Sequence, residues 1–403
     1  MGDTFGMLSG MPWKETSRVT ARKQFISRLL AGERMTDLCR EYGISRKTGY
    51  KFKERFERLG QVGLRDDSRR PTRSPGRMAE AVRTEVLRIK STHPTWGAKK
   101  VRDWLLGNKP SIVWPARSTI HTLFEREGLV KTRRRRRRVT PYEEPFSKVE
   151  AANDTWCCDY KGQFRLGNTH YCYPLTVTDQ FSRYLLACEG FERIRSDDAR
   201  AVFEVLFGNY GLPAVIRSDN GTPFASRGLL GLSRLSAWWL SLGIIPERIE
   251  PGHPQQNGCH ERMHRTLKAE ATRPAGANLL QQQERFDVFS HVYNHQRPHE
   301  ALGGRCPKDV YQPSKKRLTA VKPLDYPLHD DVRTVSSCGH IRLLKRRNNA
   351  SVFLSSALAG HRVGMREMED GRWLLSFAVL DLGIVDTKTM QFSPLGKDTT
   401  TDN

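Results

Sequence analysis

Three acidic residues of this chain carry the residue types and placement for phosphoryl chemistry. Asp159 lies in Trp156-Cys157-Cys158-Asp159-Tyr160-Lys161, a run that favours burial, where a carboxylate is costly without a compensating partner. Asp219 follows the apolar run Ala214 to Ser218, at the C-terminal end of a predicted strand, where open α/β sheets place their ligands. Glu261 follows the Pro/Gly-rich loop 251–258 and falls in the first turn of a helix that Asn257 is placed to cap. At ~100° per residue, Glu261, Arg265, Lys268 and Thr272 share one face of that helix, while Met263, Leu267 and Ala271 cluster on the other. One face is core, and the other sets an acid beside two bases. Three hard oxygen donors from separated elements suit a pair of Mg²⁺ (or Mn²⁺) ions ~3.5–4 Å apart, able to activate an attacking oxygen and stabilise a leaving one in an in-line displacement. Taken singly, each acid has a plainer reading: Asp219-Asn220-Gly221 as a turn, Glu261 as a solvated helix residue.

Strands must present the two aspartates. Thr155 to Leu166, the turn Gly167-Asn168 and Tyr171 to Thr178 read as a hairpin, with Arg183 to Cys188 as a third strand. Ser196 is placed to cap a helix through Phe207, Ala214 to Ser218 suits a buried strand, and a helix over 229–242 precedes a strand over 244–249. Strands followed by alternating helix and strand predict a mixed sheet flanked by helices.

The chain has 403 residues, a formal charge of +23 and a pI near 9.9. Its length predicts two to four domains. Residues 1–150 hold 35 Lys and Arg against 17 Asp and Glu, so the N-terminal third carries most of the excess. A polyanion matches such an excess better than a small acidic substrate, and double-stranded DNA is the expected partner. Residues 1–61 read as a helix-turn-helix: a helix to Leu30, a short one capped by Thr36 and ending at Gly43, then one capped by Ser45 and running to Gly60. Its last helix projects Arg46, Lys47, Tyr50 and Lys51 outward, with Phe52, Phe56 and Leu59 toward the core. After a linker at 62–76, helical patterns over 77–91 and 97–106 and a helix capped by Ser118 make 77–130 a second unit of this kind, whose Arg117 and Ser118 are candidate DNA contacts. Arg133, Arg134, Arg135, Arg136, Arg137 and Arg138 form, within 131–144, a basic arm suited to phosphates. The catalytic region spans 145–312, a linker 313–335, a small all-β domain 336–395 and a disordered tail 396–403. No apolar run reaches the ~20 residues of a membrane span, no signal-peptide layout is present, and the eight cysteines form no C-x-x-C pair. A cytoplasmic, nucleoid-associated protein with reduced thiols is the expectation.

Trp156…Asp159, Thr178-Asp179-Gln180-Phe181-Ser182-Arg183, Ser218-Asp219-Asn220-Gly221…Phe224, Pro254-Gln255…Gly258…Glu261-Arg262 and Tyr293-Asn294…Arg297-Pro298-His299…Ala301-Leu302 with Pro307 together closely resemble the retroviral-integrase-like core of bacterial insertion-sequence transposases, the DDE enzymes. The resemblance covers about 145–312. It implies an RNase H-like core, divalent metal at Asp159, Asp219 and Glu261, element-end DNA at Arg265 and Lys268, cleavage to a 3′-OH followed by strand transfer, and a homo-oligomer bridging two ends. Between Asp219 and Glu261 lie 41 residues, more than is usual in that family, and the excess is expected within Ser226 to Ser236. The retroviral zinc module is absent, with the helix-turn-helix pair in its place.

Two alternatives use the same residues: a helix-turn-helix regulator with an inert core, which predicts a damaged trio, and an RNase H-like nuclease, which needs no such DNA-binding pair. Asp179 reads as structural, closing a turn. His253 and His260 flank Glu261 and are candidates for tuning metal or phosphate contacts, whereas Trp238 and Trp239 read as core.

Overall fold

The structure, a computed structural model, describes residues 18–67, 78–130, 148–249, 258–320, 322–343, 351–368 and 371–395. Two compact units divide the chain near residue 77. The basic arm, residues 68–76 of the predicted linker together with residue 77, His253, Asn257 and the tail 396–403 lie outside the described residues.

In the first unit α1 (Arg18–Leu30), α2 (Met35–Glu41) and α3 (Arg46–Leu59) close on Phe25, Ile26, Leu38, Cys39 and Leu64, with Phe52 and Phe56 packed against them. Ser45 caps α3 by accepting from the Thr48 N–H at 3.2 Å. Thr36 is no cap, because α2 starts a residue earlier, after Arg34. Leu59 is 51% exposed; the turn Gly60–Leu64 folds back and seats Leu64 in the core instead. Arg46, Lys47, Tyr50 and Lys51 are all exposed on α3. The α2–α3 crossing is tight at Gly49, where an added Cβ would stand 2.8 Å from both Cys39 Sγ and Met35 Sδ. Gly49→Val is therefore expected to cost about 1–3 kcal/mol by overpacking, read as a lowered melting temperature for this unit by calorimetry; an unchanged transition would mean the helices do not cross this closely.

In the second unit α4 (Glu80–Thr92), α5 (Ala98–Asn108) and α6 (Arg117–Arg126) enclose Val86, Ile89, Trp96, Val101, Leu105, Ile120 and Phe124. The long connection into α6 is held by Trp114, buried with its indole N–H on the Lys109 carbonyl at 3.0 Å. Ser118 does not cap α6: the helix begins at Arg117 after Ala116, which leaves Arg117 and Ser118 exposed in the first turn.

The sheet that follows is formed by β1 (Thr155–Tyr160), β2 (Phe164–Arg165), β3 (Tyr171–Asp179), β4 (Leu185–Phe191), β5 (Val215–Ser218) and β6 (Ile245–Arg248). Its order is β4–β3–β1–β5–β6, with β2 extending the β3 ladder, β1 antiparallel to β3, and β1, β5 and β6 parallel. Helices α7 (Ser196–Tyr210) and α8 (Arg234–Ser241) cover one face through Trp156, Cys158, Leu175, Val177, Phe203, Phe207 and Trp239. Helices α9 (Gly258–Glu270) and α10 (Leu279–His295) cover the other through Leu185, Cys188, Met263, Leu267, Phe286 and Tyr293. This is the RNase H-like α/β core, and Trp238 and Trp239 belong to its interior.

Local chemistry shifts several predicted boundaries. The third strand begins at Leu185 rather than Arg183, because Asp179 closes residues 180–184 into a turn in which Arg183 takes φ 64°. Ser196 is the first residue of α7, following Arg195, and makes no cap bond. The helix predicted over 229–242 divides into the 3₁₀ turn Leu229–Gly231 and α8, since Ser233 and Ser236 form a reciprocal capping box that starts a new helix there.

The C-terminal region is all-β: β7 (Asp331–Thr334), β8 (His340–Arg342), β9 (Ser351–Phe353), β10 (Arg362–Glu367), β11 (Arg372–Phe377), β12 (Leu380–Asp386) and β13 (Gln391–Pro394). A sheet in the order β13–β12–β11–β10–β7 stands with the β8–β9 pair. Part of the span read as linker, 313–335, belongs here. Its β7 pairs with β10, and Tyr326 is buried with its hydroxyl on the Arg362 carbonyl at 2.8 Å. Leu229, Leu230, Leu232, Ala237 and Leu240 share this domain's apolar cluster. The long stretch between Asp219 and Glu261 thus supplies the surface on which the β domain packs.

Candidate active site

Strand alternation decides which face each group reaches. In β1, Trp156 and Cys158 enter the α7–α8 core, which turns Cys157 and Asp159 toward α9. The parallel register pairs Cys157 with Arg217, so two residues further along each chain Asp159 and Asp219 reach the same end of the sheet. Asp219 is exposed just beyond β5. Its Oδ1 accepts the Gly221 N–H at 3.1 Å, and a Cβ on Gly221 would stand 2.9 Å from Asp219 Oδ2. A side chain at 221 would crowd the carboxylate, which is a reason for glycine in this turn. Asn220 secures the loop by donating to the Ile249 carbonyl at 2.6 Å.

Glu261 is exposed in the first turn of α9, and Arg265 and Lys268 are exposed further along it, while Met263, Leu267 and Ala271 are buried. The helical faces are those expected from spacing. The Asp159 carboxyl is pushed up to about 7, first by burial, then by the charge of Asp219 and, more weakly, of Glu261, against the opposing Tyr160 N–H and Lys161. Asp159 therefore lies within electrostatic reach of both other acids. The Lys161 ammonium is held below its ordinary range by burial and then by Lys268, with Asp159 opposing, so a lysine pair flanks the acids. Lys161 was legible only as part of the strand motif, with no sequence signal for this pairing.

Beneath α9 lies a polar layer that sequence reasoning largely missed. Thr176 Oγ1 lies 2.8 Å from His260 Nε2 and 2.7 Å from His264 Nε2, and Thr178 Oγ1 lies 2.8 Å from His260 Nδ1. His264 Nδ1 faces Asp159 Oδ2 at 3.7 Å. Ligand atoms of Asp159, His260 and His264 all fall within 4.8 Å of one another, a group able to hold a metal ion. Of the two histidines, the sequence singles out only His260, as a neighbour of Glu261; His264, one turn on, carries no motif. Burial pushes His260 down to about 3, and burial followed by His260 and Lys161 pushes His264 down to about 2, so both rings are neutral near pH 7.

These shifts have opposite consequences for stability. A buried neutral histidine contributes stability above its unfolded pKa of ~6.5 that is lost as pH falls toward its folded value. Asp159, whose folded pKa is raised, contributes stability below its unfolded pKa of ~3.9 that is lost as pH rises through about 7. Between pH 5 and 6 two histidines oppose one aspartate, so unfolding takes up about one net proton from these groups. From these three groups the metal-free protein is expected to lose about 1 kcal/mol of core stability per pH unit on acidification across that window, and His299, which burial also lowers to about 3, adds to the loss; calorimetry in matched buffers measures it, and a transition rising on acidification would contradict the buried neutral histidines.

Other predicted residues have structural partners. Asp179 is buried and accepts the Asn153 N–H at 2.8 Å, the Ser182 N–H at 2.8 Å and the Ser182 hydroxyl at 2.6 Å, bonds that hold the turn after β3 closed. Asn294 receives the Leu185 N–H and donates to the Leu185 carbonyl, each at 2.8 Å, tying β4 to α10. Arg297 pairs with Glu270 at 2.6 Å, Thr95 also bonds Glu270, and Lys100 donates to the Pro298 carbonyl at 2.6 Å. The Tyr293…His299 motif is thus a clasp joining α9, α10 and the α4–α6 unit. Arg217 is buried against Glu247 at 2.6 Å and Gln180 at 2.8 Å. All eight cysteines are free thiols. Among the described residues no helix is long and apolar enough to cross a membrane.

Two integrase core domain families match residues 149–254 and 242–307. A helix-turn-helix family matches 21–72 and a homeodomain-like family 48–124. The insertion element IS476 uncharacterized 39.2 kDa protein of Xanthomonas euvesicatoria is 28% identical over 60% of this chain and 68% of its own length. The insertion element IS407 uncharacterized 31.7 kDa protein of Burkholderia multivorans is 28% identical over 51% of this chain and 71% of its own. Among solved structures, the HTLV-2 integrase catalytic core domain in complex with magnesium is similar at 15% identity and a TM-score of 0.33, over 41% of this chain and 100% of that one.

Proposed function

We propose that this chain, which belongs with the insertion-element transposases that carry a retroviral-integrase-like core, binds the ends of its own mobile element and performs both DNA cleavage and strand transfer. A transposase/integrase-type DNA-processing role follows from the family. The two-step reaction, its residues and its metal are the finer reading. The observation that carries it is the placement of Asp159 and Asp219 at the same end of the adjacent parallel strands β1 and β5, with the Asp159 carboxyl raised to about 7, first by burial and then by the charge of Asp219. Anions set against one another at cost to the fold fit a site that gains a cation.

Asp159, Asp219 and Glu261 are assigned as the ligands of two divalent ions, Mg²⁺ or Mn²⁺, whose chemistry here is to activate an attacking oxygen and stabilise the departing one. The donor set is all carboxylate on its exposed side, which suits hard cations. Arg265, Lys268 and Lys161 hold the phosphate backbone beside the acids. In the first step water attacks the phosphorus at the element end; the bond to the 3′-oxygen breaks and that oxygen leaves as a 3′-OH. In the second the freed hydroxyl attacks a target phosphodiester, forming one P–O bond as the target's own 3′-oxygen is released. Arg46, Lys47, Tyr50 and Lys51 on α3, with Arg117 and Ser118 on α6 and Arg133 to Arg138 between the folded regions, read and grip double-stranded DNA. A homo-oligomer joins two ends, since one strand transfer per end needs a site at each.

The decisive assay supplies the full-length protein with Mg²⁺ or Mn²⁺ and labelled DNA from the element's flanks. Expected are a shortened strand with a free 3′-OH and a longer joined product that appears after it. Cleavage of RNA–DNA hybrids with no action on the element's ends would replace this reading with that of a nuclease.

A further inference from the structure

The hydrogen bonds beneath α9 leave one lone pair over. The Thr176 hydroxyl has a single proton. Its Oγ1 lies 3.1 Å from the main-chain oxygen of Asp159, which can only accept, so the proton goes there. The same Oγ1 then accepts from the Nε2 atoms of His260 and His264, and both rings carry their hydrogen on Nε2. His260 Nδ1 accepts from Thr178 Oγ1, and its two nitrogens are used. His264 Nδ1 is left unprotonated, facing Asp159 Oδ2 across 3.7 Å.

That separation exceeds a hydrogen bond, and a neutral imidazole makes no ion pair. With the Asp159 carboxyl ionised, the two are electron-pair donors in apposition, which suits a cation between them. With ligand bonds of ~2.1 Å, donors this far apart would subtend about 120° at the ion, and a small side-chain rotation closes them toward tetrahedral or octahedral angles.

We propose that His264 Nδ1 is a metal ligand beside Asp159, so that one cation position of this site has a mixed nitrogen–oxygen donor set, with His260, Thr176 and Thr178 as positioning residues that fix the His264 tautomer. The inference rests on the reading of Asp159, Asp219 and Glu261 as a metal site and deepens it. Imidazole favours borderline ions over Mg²⁺. His264 therefore biases that position toward Mn²⁺ and Zn²⁺, and the partners of its other nitrogen hold the ring as outer-shell bonds do in metal sites generally.

The test is pulsed EPR on the full-length protein loaded with Mn²⁺. Expected is nitrogen modulation from bound Mn²⁺ that changes from the ¹⁴N to the ¹⁵N pattern when only histidine is ¹⁵N-labelled, and that disappears in His264→Gln. In that variant Mn²⁺ should bind about tenfold or more weakly, with Mg²⁺ affected less. The labelling comparison needs no mutation, so it holds even where His264→Gln folds poorly. Mn²⁺ that binds in wild type, is lost in Asp219→Asn and shows no histidine nitrogen would overturn the inference and leave the carboxylate site standing. Modulation persisting in folded His264→Gln assigns the nitrogen elsewhere and overturns it too. A protein that binds no Mn²⁺ overturns both the inference and the carboxylate reading.

Discussion

Asp219→Asn is expected to lower end cleavage and strand transfer by about 10³-fold or more while leaving end binding intact. The substitution keeps the shape of the side chain and removes its charge. Its carboxamide oxygen can still accept the Gly221 N–H that Oδ1 accepts now, so the turn after β5 persists and a loss of activity reports on charge. Charge stabilisation by a bound cation contributes several kcal/mol in such displacements, and at 1.36 kcal/mol per decade ~4 kcal/mol is about three decades of rate. A second consequence follows at Asp159, whose upward shift owes its next largest part, after burial, to Asp219. The Asp159 carboxyl should fall toward its ordinary range in the variant, seen as a displaced pH dependence of metal-free stability. Single-turnover cleavage on end DNA, run beside an electrophoretic binding assay, separates the two effects. Wild-type cleavage by Asp219→Asn would remove Asp219 from the chemistry.

The placement of the acids could be read from the sequence because each rests on a short-range rule. Alternation in Trp156-Cys157-Cys158-Asp159 fixes the face of Asp159, and an apolar run ending at Ser218 delivers Asp219 to a strand end. A 3.6-residue period separates Glu261, Arg265 and Lys268 from Met263 and Leu267. What escaped was whatever depended on a partner distant in sequence. His264 gains its meaning from Thr176, 88 residues away, and Lys161 from Lys268; neither pairing has a local signature. A buried Asp159 is expected to need a compensating partner; the structure supplies the Tyr160 N–H and Lys161, but burial and the charge of Asp219 outweigh them.

The fold follows the same division. Helix-turn-helix, mixed sheet and C-terminal β region are legible from periodicity, whereas a Ser or Thr near a helix start does not by itself mark the cap. Thr36, Ser118 and Ser196 each sit inside the first turn of their helix instead of before it, because Arg34, Ala116 and Arg195 already hold the extended conformation that begins a helix. The stretch from Ser226 to Ser236 looked like surplus loop. It is used in tertiary packing: Leu229, Leu230 and Leu232 join the β domain's core, and no pattern within eleven residues announces a surface that lies a hundred residues downstream.

The triple substitution Arg46→Ala, Lys47→Ala and Lys51→Ala is expected to weaken end binding by two to three orders of magnitude near 0.1 M salt. All three side chains are exposed on α3, and that unit's apolar cluster draws on other α3 residues, Phe52 and Phe56. Folding should therefore survive, and alanine favours helix. If each cation neutralises one phosphate, the plot of log K against log salt loses ~0.9 per contact. Three contacts take about 2.7 from the slope, and a change of that size referred to 1 M salt is about 500-fold at 0.1 M. Tyr50, exposed between them, carries no charge, so Tyr50→Ala should leave the slope alone and reduce affinity only through lost contact. Fluorescence anisotropy across a salt series, on cognate ends and on scrambled DNA, measures both terms. A slope unchanged in the triple variant would place this face of α3 away from the phosphates and move the proposed grip to α6 and the arginine arm.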